Sequence, residues 1–310
     1  MLFFAILASV AYLRDDSVTT NLRRRFSLPL PNRAPLELGE RTLVMGIINV
    51  TPDSFADGGL RFNPARAIAD GLRMAEDGAD ILDVGGESTR PGAETLDENE
   101  ELRRVLPVVE RLALESPVPV SIDTYKARVA REALDRGAAI VNDISGLLYD
   151  PQLGAVAAGA GAAIVLMHTR GRSHAMYKEA VYADVVGEIA GELSAAVARA
   201  EAAGIPRRAI VLDPGLGFAK KAEHTWEAIA GLDRLAALGY PLLAGPSRKS
   251  YLKSAIGERP ASERDWATAG AVAACVLGGA HIVRVHAVRE MVDVVRVADR
   301  IRSSQQSEPG

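Results

Sequence analysis

Cysteine is almost absent from this chain of 310 residues, and the single Cys275 lies in a stretch rich in Ala and Val. No disulfide can form within the chain, and a lone cysteine in such surroundings is typical of a small buried hydrophobe, not of a nucleophile. Cys and His also lack the paired spacing of a zinc site. We expect the chain to fold without disulfides or zinc, in the reducing setting of the cytoplasm.

An excess of positive charge is missing as well. The chain has 36 Lys and Arg residues against 40 Asp and Glu residues, which gives a net charge of −4. This balance lacks the electrostatic footprint of a nucleic-acid-binding protein, so no nucleic-acid partner is expected. If the substrate is an anion, a few cations focused inside a cleft must bind it.

Long apolar runs are also missing, because the apolar segment from Met1 to Leu13 is too short to cross a bilayer as a helix. No basic residues precede it as in a secretory signal, and the cluster Arg23–Arg25 is small for a membrane-binding surface. We therefore expect no stable membrane association. Residues 1–37 are interpreted as an N-terminal extension, partly disordered or loosely packed, and residues 303–310 as a disordered tail.

Three familiar nucleotide-binding or catalytic loops are excluded by the sequence. Lys220 stands where a dinucleotide fingerprint starting at Gly215 would need glycine, and no G-x-x-x-x-G-K loop occurs. In the string GESTR, Thr89 replaces the second glycine of a nucleophile elbow.

From Thr42 onward, short runs of Val, Ile and Leu alternate with Ala- and Leu-rich segments of helical periodicity. The predicted strands are 42–48, 80–84, 118–122, 138–141, 162–167, 209–212, 241–244 and 281–285. The predicted helices are 64–77, 98–114, 126–136, 151–159, 184–203, 222–238, 261–277 and 287–302. Because the strands are apolar throughout, both faces of a parallel sheet should be buried. We predict an α/β fold, a single-domain (β/α)8 TIM barrel over residues 38–302, with an open doubly wound sheet as the alternative.

Polar or charged residues follow each of the predicted strands. They are Asn49; Glu87, Thr89 and Arg90; Asp123; Asn142 and Asp143; His168; Asp213; Ser247, Arg248, Lys249 and Ser250; and Arg284 and His286. In a barrel these positions share the C-terminal rim, where the active sites of this fold lie. Helix capping explains some of the Asp and Asn residues but not the cations, so the set predicts a polar pocket.

The side chains at these ends suit a planar heterocycle that carries phosphate. A buried Asp accepts two parallel N–H bonds from an amino-pyrimidine edge, and an Asn amide offers a donor beside an acceptor. Arg and His from neighbouring strands suit a phosphate or pyrophosphate. Asn49 with Asp53 or Asp57 offers hard oxygen ligands for Mg²⁺. The role of His168 stays open between a hydrogen-bonded rim residue and a catalytic base.

At these strand ends the sequence resembles the dihydropteroate synthase family. The matching strings, in the family's order over about residues 40–300, are MGIINVTPDSFADGG, DVGGESTRPGA, SIDT, VNDISG, LMH, LDPGLGF, GPSRKS and RVHAV. One departure is Ala219, where the family often has glycine. The resemblance implies a transferase of folate biosynthesis that moves an alkyl group other than methyl. It would condense 6-hydroxymethyl-7,8-dihydropterin pyrophosphate with para-aminobenzoate, release pyrophosphate and use Mg²⁺.

The resemblance also implies a role for each site residue. The pterin would contact Asp123, Asn142, Met167, Asp213, Phe218, Gly245 and Lys249. The pyrophosphate would contact Asn49, Arg90, Arg284 and His286, and para-aminobenzoate would contact Phe55, Thr89, Pro91 and Ser250. The catalytic residues would be Asp123, Lys249, Arg284 and His286, with Asn49 and Asp57 as metal ligands. A homodimer and inhibition by sulfonamides, which mimic para-aminobenzoate, are implied as well.

Two rival functions remain open at this point. A pterin-dependent methyltransferase barrel also reads the pterin with Asp and Asn, but it needs no pyrophosphate site, which argues against it here. A non-catalytic pterin-binding paralogue would be favoured by loss of the loop residues, yet Asn49, Phe55, Thr89 and Arg90 are all present.

Overall fold

The computed structural model of the chain describes residues 23–51, 63–88, 95–172 and 180–304. Its strands are β1 (Phe26–Leu30), β2 (Arg33–Leu38), β3 (Leu43–Asn49), β4 (Ile81–Gly85), β5 (Val120–Asp123), β6 (Ile140–Asp143), β7 (Ala163–Met167), β8 (Ile210–Asp213), β9 (Leu243–Ala244) and β10 (Ile282–Val285). Its helices are α1 (Pro64–Glu76), α2 (Glu98–Glu115), α3 (Ala127–Asp135), α4 (Leu153–Gly159), α5 (Val185–Ala202), α6 (Ala222–Ala230), α7 (Leu232–Ala236), α8 (Lys253–Ile256), α9 (Asp265–Leu277) and α10 (Val288–Ser304).

Eight parallel strands form the barrel. They follow the order β8-β7-β6-β5-β4-β3-β10-β9, and a parallel bridge between Leu212 and Leu242 joins the two ends of the sheet. Helices connect successive strands, so every strand runs in the same direction and all the carboxyl ends lie on one rim. The predicted (β/α)8 barrel is therefore confirmed, and the open doubly wound sheet is wrong because the sheet closes.

The apolar strands bury both faces, and the two faces belong to two cores. Met45 and Ile81 point into the barrel, whereas the alternate residues Val44 and Leu82 pack outward against the helices. This double burial is why these strands are apolar at nearly every position.

A β-hairpin of β1 and β2 packs with the inner core. Leu28 and Leu38 are each 1% exposed and belong to the same cluster as the inward Met45 and Ile81. Just before it, Arg23 is buried and donates to Thr42 Oγ1 at 2.6 Å and to the Ala280 carbonyl at 2.5 Å. These contacts hold the hairpin against the amino-terminal end of the barrel, opposite the rim.

This hairpin differs from the expectation of loose packing for residues 1–37. Residues 26–38 pack against the barrel because alternate leucines of the hairpin are buried in the inner core. The hairpin was not among the predicted strands. Residues 1–22 lie outside the described range, as do residues 305–310 of the predicted tail, whose first two residues end α10. None of the helices in the described part of the chain combines the length and apolarity that crossing a bilayer requires.

Candidate active site

Arg284, near the end of β10, forms ion pairs with carboxylates from two other strands of the rim. Its Nε donates to Asp83 Oδ2 and one Nη donates to Asp123 Oδ2, both at 2.6 Å. Asp83 Oδ2 also accepts from Asn142 Nδ2 at 2.9 Å. The parallel register places Asp123 directly beside Asn142 on the neighbouring strand. The structure thus brings the predicted residues Asp123, Asn142 and Arg284 together, because Asp83 joins Arg284 to Asn142 and Arg284 bonds Asp123 directly.

Burial governs the charges in this group. It raises the pKa of Asp123 to about 7, although the neighbouring Arg284 cation acts in the opposite direction. Burial disfavours the Arg284 cation, but Asp83 and Asp123 outweigh it and raise the pKa of the guanidinium. Burial thus disfavours the Asp123 carboxylate and Arg284 favours it, whereas the two carboxylates keep Arg284 charged.

Lys249 and Asp213 form the facing wall. Lys249 Nζ donates to the Leu216 carbonyl at 2.5 Å and lies 4.5 Å from the centre of the Phe218 ring. Asp213 is 5% exposed and accepts from the Gly215 amide at 2.7 Å. Burial lowers the pKa of Lys249 to about 8 and raises that of Asp213, and each charge opposes the effect of burial on the other.

Gly245 lies between the two cations. A Cβ at this position would be 3.7 Å from Lys249 Nζ and 3.8 Å from Arg284 Cβ. Any larger side chain would extend into the space between these groups. The absence of a side chain at Gly245 therefore leaves space for a flat ligand between Lys249 and Arg284, as the predicted pterin contact at Gly245 requires.

Apolar side chains form the rest of the pocket wall. Ile144 and Met167 are buried with Tyr125, and the partly buried Phe218 and Tyr149 pack against them. Met167 ends β7 and is 4% exposed. Met167 lies beside Asp213 on the neighbouring strand, and Phe218 lies beside Lys249, so both stay predicted contacts of a planar ring bound by Asp213 and Asn142.

His286 and Asn49 lie together at the ends of the adjacent strands β10 and β3. Ser247 Oγ is 2.9 Å from His286 Nδ1 and accepts from the His286 amide at 3.2 Å. The other ring nitrogen, Nε2, faces the Asn49 amide nitrogen at 3.5 Å. Ser247 thus fixes the orientation of the His286 imidazole. The sequence did not indicate this role for Ser247.

Arg248 and Ser250 flank Lys249 but differ from it in orientation. Arg248 has a left-handed backbone, with φ of 58°, and its guanidinium pairs with both oxygens of Asp265 at 2.6 and 2.7 Å. Ser250 is exposed and begins a single 3₁₀ turn, which continues into the short α8. Ser250, the predicted para-aminobenzoate contact, therefore stands at the start of a brief helical segment.

Six of the predicted residues lie outside the described residues. They are Asp53, Phe55, Asp57, Thr89, Arg90 and Pro91. Glu87, at the start of the second of these loops, turns towards Lys126 Nζ at 2.6 Å, and this ammonium also contacts the buried Glu101 at 2.6 Å. Glu87 therefore anchors the described end of its loop to α2 and α3.

His168 has both ring nitrogens engaged. Nδ1 is 2.7 Å from Lys220 Nζ, and Nε2 is 3.0 Å from Glu192 Oε2. The ring is buried, and burial lowers its pKa to about 4. Of the two roles left open for His168, the structure supports the hydrogen-bonded rim residue.

Sequence reasoning missed Asp83 and Lys220. Asp83 could have been found, because it shares the inward face of β4 with Ile81 and a charge on that face needs a partner. Lys220 gave no such signal, since it follows a glycine-rich turn and its burial depends on tertiary contacts. Within the described ranges, no group of three or more His, Cys, Asp or Glu side chains is arranged to hold a metal ion.

Known proteins share this sequence and this architecture. A family model described as pterin binding enzyme matches residues 45–286. The dihydropteroate synthase of Synechocystis sp. is 46% identical over 277 residues, covering 89% of this chain and 96% of that protein. The solved dihydropteroate synthase of Xanthomonas albilineans with 4-aminobenzoic acid matches with a TM-score of 0.82 and 40% identity, over 91% of this chain and 100% of that one. The Yersinia pestis dihydropteroate synthase with a sulfonamide drug matches with a TM-score of 0.84 and 39% identity, over 90% and 100% of the two chains.

The closed barrel, its polar rim and the family match define an enzyme of the pterin-binding class. Within that class the relatives agree on one activity. The chain belongs to the dihydropteroate synthase family, and with it to the transferases of folate biosynthesis.

Proposed function

We propose that this pocket condenses 6-hydroxymethyl-7,8-dihydropterin pyrophosphate with para-aminobenzoate, giving 7,8-dihydropteroate and pyrophosphate. The observation that carries the proposal is the pair of facing groups, Asp83–Arg284–Asp123 and Asp213–Lys249, at the carboxyl ends of the strands. Carboxylates suit the amino and N–H edge of a pterin, and the cations suit its carbonyl and its pyrophosphate.

The pterin ring is bound between the two walls. Asp213 accepts from its 2-amino and N3 edge, Asn142 binds the adjacent edge and Asp123 lies near N8. Lys249 reaches the remaining ring acceptors, and Met167, Phe218 and Gly245 shape the slot. The 4.5 Å separation of Lys249 Nζ from the Phe218 ring supports this arrangement, since the cation and the aromatic face are already side by side.

The pyrophosphate lies at the mouth, near Asn49, Arg284 and His286, with Arg90 from the second loop. The leaving oxygens gain charge as the C–O bond breaks, and fixed cations stabilise that charge more than water does. Arg284 is suited to this because two carboxylates hold its guanidinium in place before substrate arrives.

The donor chemistry at the mouth fits Mg²⁺. Asn49 carries a hard amide oxygen, while its amide nitrogen faces His286 Nε2 at 3.5 Å, and Mg²⁺ takes few protein ligands when phosphate oxygens are available. Asp57 is the second proposed ligand and lies outside the described residues. When bound, the metal neutralises charge on the leaving pyrophosphate. Replacing Asn49 with Ala should raise the Mg²⁺ concentration needed for half-maximal activity, and an unchanged requirement would remove Asn49 from the metal site.

The second substrate binds above the pterin, against Phe55, Thr89, Pro91 and Ser250. Its aromatic amine is uncharged at neutral pH, so no strong base is needed to free the lone pair. The amine nitrogen bonds to the pterin methylene carbon while pyrophosphate departs with the C–O electron pair, and the nitrogen then loses its extra proton to solvent. Asp123 stabilises the positive charge that develops on the ring, and sulfonamides compete for the same place as para-aminobenzoate.

We also propose that the chain forms a homodimer through α9. Its exposed face carries Trp266, Gly270, Ala274 and Leu277, and Trp266 is 91% exposed. No charged residue occurs from Trp266 to Leu277, a composition that is typical of a helix packed against a partner. Sedimentation of the wild type and of Ala274→Glu tests this, and a wild-type monomer would overturn it.

The test of the reaction is pyrophosphate release by purified protein with Mg²⁺, with and without para-aminobenzoate. We expect release that depends on para-aminobenzoate and falls at least a hundredfold in Arg284→Ala, on the scale of about 2.7 kcal/mol for a lost transition-state contact. Tight pterin binding without turnover would instead identify a non-catalytic paralogue.

A further inference from the structure

Three polar side chains form a continuous hydrogen-bonded row behind the pterin wall, here named the buried relay. Lys220 Nζ contacts His168 Nδ1 at 2.7 Å, and His168 Nε2 contacts Glu192 Oε2 at 3.0 Å. Lys220 is 1% exposed and His168 is 3% exposed, whereas Glu192 reaches the surface. The row therefore leads from the interior of the rim to solvent through α5.

The donors and acceptors in the relay have one consistent arrangement. The Glu192 carboxylate only accepts, and burial keeps the His168 ring neutral by lowering its pKa, so the ring proton is on Nε2 and is donated to Glu192. His168 Nδ1 is then the acceptor for Lys220 Nζ, whose own pKa burial lowers well below its usual value. Lys220 Nζ also donates to the Phe218 carbonyl at 3.1 Å. Each polar atom in the row thus has a partner, which justifies the burial of a lysine.

The relay joins the two strand ends that hold the pterin wall. The His168 amide donates to the Asp213 carbonyl at 2.9 Å, and a Cβ on Gly215 would lie 2.0 Å from the His168 carbonyl oxygen. The turn after β8 is therefore pressed against the end of β7. Lys220 closes this turn from behind, because it contacts the backbone of Phe218 and the ring of His168.

We propose that Lys220 is a positioning residue for the pterin, acting through the Phe218 backbone and through His168, and that Glu192 anchors it. The inference rests on the proposed function. Lys220 contacts no reacting atom in this scheme, and its effect is to hold the Phe218 ring and the Asp213 carboxylate at a fixed separation. A loose turn would still fold but would present these two groups imprecisely, which weakens binding of a flat ligand.

Helix α5 offers a matched control for the anchor. Glu188 and Glu192 both pair with Arg170, but only Glu192 contacts His168. Glu188 instead accepts from the Ala183 and Asp184 amides at 2.7 and 3.0 Å. Replacing either glutamate removes an Arg170 ion pair, so a general loss of stability affects both variants. A loss of pterin affinity confined to Glu192 separates the relay from such a general effect.

The experiment measures the dissociation constant of 6-hydroxymethyl-7,8-dihydropterin pyrophosphate by calorimetry with Mg²⁺ and without para-aminobenzoate. We expect Lys220→Met to weaken binding about tenfold, equivalent to about 1.4 kcal/mol, the scale of one buried hydrogen bond. Glu192→Ala should weaken it about fivefold and Glu188→Ala less than twofold. The KM for para-aminobenzoate at saturating pterin should stay within twofold in all three variants.

Several outcomes would overturn the inference. Equal pterin affinity in Glu192→Ala and Glu188→Ala would show that the relay does not act on the site, and wild-type affinity in folded Lys220→Met would show the same. If Lys220→Met does not fold, the glutamate pair still decides, because both side chains reach the surface. A wild-type protein that binds no pterin pyrophosphate would contradict the proposed function instead, so the two failures are distinguishable.

Discussion

Asp83→Asn isolates the carboxylate that connects the pterin and pyrophosphate groups. Asp83 is fully buried and its Oδ2 accepts from Arg284 Nε at 2.6 Å and from Asn142 Nδ2 at 2.9 Å. Its other oxygen, Oδ1, has no partner among the described residues. An asparagine of the same shape can place its carbonyl oxygen between the same two donors, so the substitution removes charge without removing atoms.

The size of the effect follows from the bond to Arg284. A hydrogen bond between charged groups contributes about 1.5–3 kcal/mol and a bond to a neutral oxygen about 1 kcal/mol, so the loss is about 0.5–2 kcal/mol. We expect kcat/KM for the pterin pyrophosphate to fall about tenfold, because Arg284 is held less firmly. We expect the free energy of unfolding to fall by about 1–3 kcal/mol, because the asparagine amide nitrogen takes the buried Oδ1 position, where the described residues offer no acceptor.

The assay is steady-state pyrophosphate release with varied pterin pyrophosphate, accompanied by urea unfolding of the same variants. Asp143→Asn is the control, because Asp143 is equally buried but bonds Ser145 and the Leu147 amide, away from Arg284. We expect Asp143→Asn to lose stability and keep kcat/KM within about threefold. A folded Asp83→Asn with wild-type kcat/KM would refute the reasoning.

Further predictions concern the frame of the site. Burial lowers the pKa of His281 to about 4, below its unfolded value of about 6.5, so the folded state loses stability as pH falls between these values. The free energy of unfolding should therefore fall more steeply for the wild type than for His281→Gln. In unfolding series from pH 7 to pH 4, the difference between the two proteins should shrink by up to about 3 kcal/mol. Arg248→Met should lower stability by about 1–3 kcal/mol but keep kcat/KM, whereas Lys249→Met should lose activity in the same assay. Ala219 has φ of 46°, so Ala219→Gly should raise the free energy of unfolding by about 1 kcal/mol, and a loss would show that the positive φ is unstrained.

The barrel could be predicted from the sequence because its pattern is local. Each predicted strand overlaps an observed one, and β3 to β10 end within two residues of the predicted limits. Apolar runs such as Ile164 to Leu166 leave a parallel, doubly buried strand as the simplest solution. The hairpin of β1 and β2 could not be predicted in this way, because its alternate leucines gain their burial from an inner core assembled by distant strands.

The candidate site was predictable where its residues stand at strand ends and less so where their position depends on tertiary contacts. Asp123, Asn142, Asp213 and Arg284 stand at strand ends, so topology alone brings them to one rim. Lys249 and Arg248 are neighbours in sequence, and only the left-handed backbone at Arg248 decides which one enters the pocket. Sequence reasoning cannot read that dihedral angle, nor can it foresee that Lys220 turns inward.

The charges of the two walls bear on the need for a metal. The pocket has three buried carboxylates, Asp83, Asp123 and Asp213, against the two cations Lys249 and Arg284. Among the described residues, Arg284 has already committed its Nε and one Nη to carboxylates, so it offers the pyrophosphate its remaining terminal nitrogen. In the proposed reaction the carboxylates bind the pterin and hold Arg284, so removing them to favour an anion would weaken both functions. We therefore propose that positive charge is added at the mouth, where Asn49 would hold a divalent cation that neutralises the charge of the pyrophosphate.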